Sequence, residues 1–127
     1  MKSYTDLEQS KKLAEILPIE SADMWWSKNF IYYNPTAAIG ISAEYSNVYT
    51  YKFGEDDIPC WSLATLLDIL RNRAYSIDED AIVTLSSYKT IEWDLSISNS
   101  GLYMITKSDP IDACVEMIVT LKEKDLL

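Results

Sequence analysis

The last quarter of the chain constrains the fold most. From residue 111 onward, Ile111, Cys114, Val115, Ile118 and Leu121 recur at helical spacing, and Met117 and Val119 widen the apolar arc beyond that of a surface helix. Such a helix must be deeply buried. Its start is marked by Asp109-Pro110, an N-cap followed by proline at the first helical position, where a missing N–H costs nothing. Only a narrow polar stripe of Asp112, Glu116, Thr120 and Glu123 is left for solvent.

The segment upstream supplies strands. Ile91, Trp93, Leu95 and Ile97 alternate with Thr90, Glu92, Asp94 and Ser96, the period-two pattern of a strand with one apolar face. Asn99-Ser100-Gly101 is a turn signal before residues 102–106, so these two strands are expected to form a hairpin. Residues 82–85 supply another strand. Nearer the start, Phe30–Tyr33, 37–41 and 48–53 read as short strands, with Pro35 and Asn47 near turns. In the last of these Tyr49, Tyr51 and Phe53 share one face, and Val48, Thr50 and Lys52 the other.

Two more helices complete the set. Thr5-Asp6-Leu7-Glu8 reads as a capping box, with Thr5 as N-cap and Glu8 reaching back; Leu7, Leu13, Ala14 and Leu17 follow on one arc, with Ser10 among them, until Pro18 stops the helix. Leu63, Leu66, Leu67 and Leu70 keep the spacing of a buried stripe behind an N-cap at Ser62. Trp61 is placed to staple onto Leu66, and Arg71 and Arg73 to sit at the negative end of the helix dipole. With strands clustered rather than strictly alternating with helices, the pattern predicts an α+β fold in a single domain over residues 1–127. It consists of one antiparallel sheet of about four to five strands and three helices, in the order α-β-β-β-α-β-β-β-α, with the helices mainly on one face. A chain of 127 residues hides roughly two thirds of its unfolded surface, enough for a core without disulfides or metals.

Composition then narrows the chemistry. Eleven basic against 20 acidic residues give a net charge of −9, which opposes direct nucleic-acid binding, because phosphate recognition depends on basic groups that release counterions. The absence of histidine removes Ser-His and Cys-His nucleophile pairs, imidazole bases and histidine-ligated metals together. Two cysteines, Cys60 and Cys114, are too few for a disulfide framework or a zinc cage; Cys114 reads as a packing residue, and Cys60 reads more readily as a buried packing residue than as a thiol activated by the positive start of the second helix. No apolar run reaches the roughly 20 residues that span a bilayer, and the polar start lacks the pattern of a secretory signal. A cytoplasmic protein with no membrane partner is expected.

The acidic triplets Glu55-Asp56-Asp57 and Asp78-Glu79-Asp80 lack the spacing of a calcium loop and read as solvated turns. Asp112 and Glu116, four apart on one helix face, read as an exposed stripe. With three glycines in the chain there is little material for a phosphate loop. No catalytic, cofactor-binding or metal-ligating residue is assigned. The aromatic residues remain: Trp25, Trp26, Tyr32, Tyr33, Tyr49 and Tyr51 cluster along the chain and either fill the core or build an interaction surface, since Tyr and Trp bury much area at low entropy cost.

The segments 4–18 (YTDLEQSKKLAEILP), 20–24 (ESADM), 58–63 (IPCWSL) and 109–118 (DPIDACVEMI) together resemble a group of short proteins of unassigned activity from gut Bacteroides-type bacteria and their phages or mobile elements. The resemblance covers the helices and their caps. It implies a host and a genetic setting, and transfers no site residue. The leading expectation is a small acidic non-enzymatic interaction or accessory protein, with another protein or a second copy of itself as partner and without a cofactor. The alternative is a small enzyme or ligand-binding domain working through carboxylates or tyrosine, which act as acids and bases without histidine.

Overall fold

The computed structural model describes residues 1–27, 30–33, 57–88, 91–98 and 103–127. Along them run α1 (Leu7–Ala14), a short 3-10 turn (Ile19–Ser21), β1 (Met24–Ser27), β2 (Phe30–Tyr33), β3 (Ile58–Cys60), α2 (Leu63–Ile77), β4 (Ile82–Tyr88), β5 (Glu92–Ser98), β6 (Tyr103–Lys107) and α3 (Pro110–Glu123). The class is α+β with antiparallel pairing, as the sequence predicts. The single sheet of four to five strands is corrected: six described strands form two three-stranded sheets, ordered β2-β1-β3 and β4-β5-β6. The backbone divides into two compact units, Tyr4–Thr65 and Leu66–Leu127 with Met1–Ser3, each holding one sheet.

In the first unit, β1 pairs with β2 through Trp25↔Tyr32 and with β3 through Trp25↔Pro59. Neither β1 nor β3 is anticipated by pattern. The sequence MWWS has no alternation, and the three residues of β3 include Pro59, which a sheet tolerates at an edge, where β3 lies among the described strands. The strands expected at 37–41 and 48–53 fall outside the described residues. Helix α1 packs against β3 and buries Leu13 and Ser10. Its N-cap is Asp6, not Thr5. The Asp6 carboxylate accepts from the Gln9 N–H at 2.8 Å, and the Gln9 side chain accepts from the Asp6 N–H at 3.1 Å. The helix also stops short of Pro18: from Leu13 the chain tightens, and the Leu13 carbonyl accepts from both Ile16 and Leu17.

Helix α2 starts where expected, with the Ser62 hydroxyl accepting from the Thr65 N–H at 3.3 Å. Leu66 and Leu70 are fully buried and Ala74 continues their stripe, while Leu63 and Leu67 are half-buried. The helix runs on to Ile77, so Arg71 and Arg73 do not occupy its last turn. Arg71 pairs with Asp68 on the surface at 2.6 Å, and Arg73 Nε donates to the Leu126 carbonyl.

In the second unit the hairpin forms as the alternation requires, with Leu95↔Ile105 and Ile97↔Tyr103 in register. Its tip lies outside the described residues. Strand β4 pairs along the other side of β5 from Ile82↔Ser98 to Tyr88↔Glu92 without interruption, longer than the expected 82–85. Helix α3 lies over β5 and β6. Asp109 caps it, its carboxylate accepting from the Ile111 N–H at 2.9 Å, and Ile111, Ala113, Cys114, Met117, Ile118 and Leu121 are buried to 1% exposure or less. Each large apolar side chain so buried contributes about 1.5–3 kcal/mol. Beneath it Leu95 and Ile97 are closed off, whereas Ile91, expected on the same face, precedes the strand and is 67% exposed. Among the described residues no helix is long and apolar enough to cross a membrane.

Candidate functional site

Among the described residues two places gather groups that could act: a buried polar node in the first unit and an open sheet face in the second. The node is built around Thr5. Its backbone N–H donates to the Trp61 carbonyl at 2.9 Å, and its hydroxyl accepts from the Trp61 N–H at 3.2 Å, so residue 5 is tied through backbone and side chain to the segment before α2. The same hydroxyl lies 2.7 Å from Ser10 Oγ and 3.4 Å from Cys60 Sγ. The Thr5 carbonyl collects the donors, accepting from Trp26 Nε1 at 3.2 Å and from the Cys60 thiol at 3.4 Å. Tyr4 stacks edge-on against Trp26, with ring centres 5.9 Å apart. Beside the node, the Asp23 carboxylate accepts from both the backbone and the hydroxyl of Ser62, at 2.9 and 2.6 Å, and Trp61 Nε1 donates to Ser21 Oγ at 3.0 Å.

Two hydroxyls and a thiol in contact resemble the raw material of a nucleophilic site, and the physics of this one runs the other way. Thr5, Ser10 and Cys60 are fully buried. Burial pushes the Cys60 thiol up, the nearby Asp23 charge adds to that, and the hydrogen bonds from Thr5 and Ser10 offset it only in part. A nucleophilic thiol needs the thiolate, favoured by nearby positive charge. The node therefore works as a hydrogen-bond lock. Cys114 is more inert still: burial, assisted by Asp109, pushes its thiol up to about 12.

The carboxylates are spent in pairs and turns. Asp112 and Glu116 each meet a lysine from elsewhere, Lys2 at 2.7 Å and Lys107 at 2.6 Å. The Glu116 contact holds the Lys107 ammonium above its usual range, first through the hydrogen bond and then through its charge. Asp78 folds back to accept from the Asp80 N–H at 2.9 Å, closing a turn into β4. Of the other triplet, Glu55 and Asp56 lie outside the described residues. Among the described residues no three metal-ligating groups converge.

The aromatic set is divided. Trp25 is 3% exposed and belongs to the core of the first unit, and Trp26 is half-buried with its N–H spent on Thr5. Tyr32 and Tyr33 lie in β2 opposite Trp25 and Met24, and Tyr49 and Tyr51 are outside the described residues.

The second sheet presents an accessible face. Opposite the helix-covered face, register places Ile82, Thr84 and Ser86 of β4, Glu92, Asp94, Ser96 and Ser98 of β5, and Met104 and Thr106 of β6 on one side. Ile82 and Met104 are 59% and 60% exposed, and Thr106 Oγ1 donates to Asp94 Oδ1 at 2.6 Å across the strands. Half of this face was legible in the alternation of β5. The role of β4 was not, because 82–88 carries no charged residue to mark a solvent side. Comparisons with protein-family models, curated proteins and solved structures return no match.

Proposed function

We propose that this chain is a non-enzymatic interaction module that binds another protein chain through its second sheet. The observation that supports this is the contrast within that sheet: one face sealed by α3, the other open, polar and spotted with exposed Ile82 and Met104. Edge strands and open sheet faces are recognised by added strands and by flat protein surfaces. The buried thiols favour the same reading, since neither sits where a substrate could reach it. The proposed contact uses other residues than the aromatic set expected at 25, 26, 32, 33, 49 and 51, of which Trp25 is enclosed. An accessory role in a bacterium of the Bacteroides type, or in its phages or mobile elements, completes the proposal. Capture of partners from a native lysate followed by hydrogen exchange of the purified complex tests it. Protection gained over 82–88 and 92–107 is the expected result; protection confined to 4–65 would overturn it.

A further inference from the structure

We propose that the face of the second sheet opposite α3 holds an extended segment of a partner protein that presents apolar residues at one end and lysine or arginine at the other. This rests on the reading of that sheet as a contact element and names the chemistry of what it contacts. The face changes character along β5. At one end Ser96 and Ser98 form a low floor between Ile82, opposite Ser98 on β4, and Met104, opposite Ser96 on β6. Both larger side chains stand exposed beside those short ones. At the other end come Asp94 and Glu92, with Ser86 opposite Asp94 on β4 and Thr106 opposite it on β6.

Charge selects the occupant. Glu92 is exposed, and Asp94 receives its 2.6 Å hydrogen bond from the neutral hydroxyl of Thr106. Lys107, the one cation among the described residues of the three strands, pairs in register with Trp93 on the α3 side and meets Glu116 there at 2.6 Å. The acidic end of the face therefore attracts a basic group, on a chain whose overall charge of −9 adds to the attraction. A bare metal cation leaves Ile82 and Met104 uncovered, and a nucleic acid sets phosphates against carboxylates. A peptide segment with both kinds of side chain satisfies both ends. Six residues of β5 separate Ser98 from Glu92. That is about 20 Å of strand, which an extended segment of about seven residues spans with its first and third side chains at the apolar end and its fifth and seventh at the acidic end.

Nuclear magnetic resonance titration of the full chain with a soluble heptapeptide tests this: leucine at its first and third positions, lysine at its fifth and seventh, serine between. The expected result is chemical-shift change centred on 82–86, 92–98 and 104–106, with affinity falling about tenfold as salt is raised from about 0.05 to about 0.5 M. Glu92→Gln with Asp94→Asn weakens binding about tenfold and flattens that salt dependence. Glu92 is exposed, and Asn at 94 keeps an acceptor for Thr106, so folding persists. Ile82→Ser with Met104→Ser weakens binding as well and leaves the salt dependence in place. The absence of any shift on this face at millimolar peptide, equal binding when glutamate replaces lysine in the peptide, or indifference to the Glu92 and Asp94 changes overturns the inference. If a complex captured from lysate is protected over 82–88 and 92–107 yet is indifferent to those two changes, the module reading survives and the basic partner is lost; if protection is confined to 4–65, both fall.

Discussion

The two units use the same kinds of element and hold them by different means. In Tyr4–Thr65 a polar node ties the chain start to the segment before α2: Thr5 alone bonds Trp61 twice, touches Ser10 and Cys60, and accepts from Trp26. In Leu66–Leu127 the centre is apolar, with Ile111, Met117, Ile118 and Leu121 of α3 set on Leu95 and Ile97. Hydrogen bonds are directional and costly when left unmade, so the first arrangement specifies one geometry. Apolar burial is non-directional and scales with area, so a helix can seal one face of the second sheet while the other face carries exposed Ile82 and Met104. The exposure of Ile82 and Met104 on that far face follows from the same division.

The largest expected effect comes from cutting into the apolar centre. Ile118→Ala removes a fully buried side chain and is expected to cost about 2–5 kcal/mol in denaturant unfolding; a loss below about 1 kcal/mol would show that α3 is not what holds its unit together. The polar node should respond less in magnitude and more sharply to chemistry. Thr5→Val keeps the shape, orphans the Trp61 N–H, and should cost about 1–3 kcal/mol, while Thr5→Ser retains most of the stability. A larger loss for Ser than for Val would mean that packing of the methyl group, not the hydroxyl, matters at residue 5.

Cys114 offers a pH probe of the apolar side. Its folded thiol titrates near 12 against a reference of 9.0, so the folded state keeps a proton that the unfolded state has lost between those values. Stability is then fully present below about pH 9 and falls as pH rises towards 12, by up to about 1.4 kcal/mol per pH unit. Cys114→Ala should flatten that alkaline slope, whatever it does to stability at neutral pH. An unchanged slope would show that the thiol is not sealed in. The smallest contrast lies in the two caps. Asp6→Ala and Asp109→Ala should each cost about 1 kcal/mol, with Asp109 the larger because its carboxylate is buried, where a lost hydrogen bond costs more, while Asp6 is half-buried. Reversal of that order, by thermal unfolding, would place the tighter helix start in the first unit.

How far these features could be read in advance depended on the range of the interaction. Asp109-Pro110 and the stripe behind it were legible because a cap, a fixed proline φ and an apolar period all act within a few residues. The hairpin was legible for the same reason. The first cap was misread by one residue because the sequence Thr5-Asp6-Leu7-Glu8-Gln9 supports two capping boxes: Thr5 with Glu8, and Asp6 with Gln9. The choice falls to Asp6 because the Thr5 hydroxyl is engaged by Trp61 and Ser10. The end of α2 was misplaced because no glycine or proline follows Arg73 to stop it. Of the candidate surface, the outward residues of β5 were visible as alternating polar positions, and β4 was not, because its outward residues differ little in polarity from its inward ones.

The order of residues alone settled the local pieces: where α3 begins, which of its sides is apolar, and that β5 turns back on β6. Spatial partners settled the remainder. That the strands divide between two sheets, and that Thr5 locks onto a tryptophan far along the chain, follow from which groups burial brings together and leaves unsatisfied otherwise. Backbone preferences reach a few residues, whereas the cost of an unpaired polar group is set by whatever the whole fold places beside it.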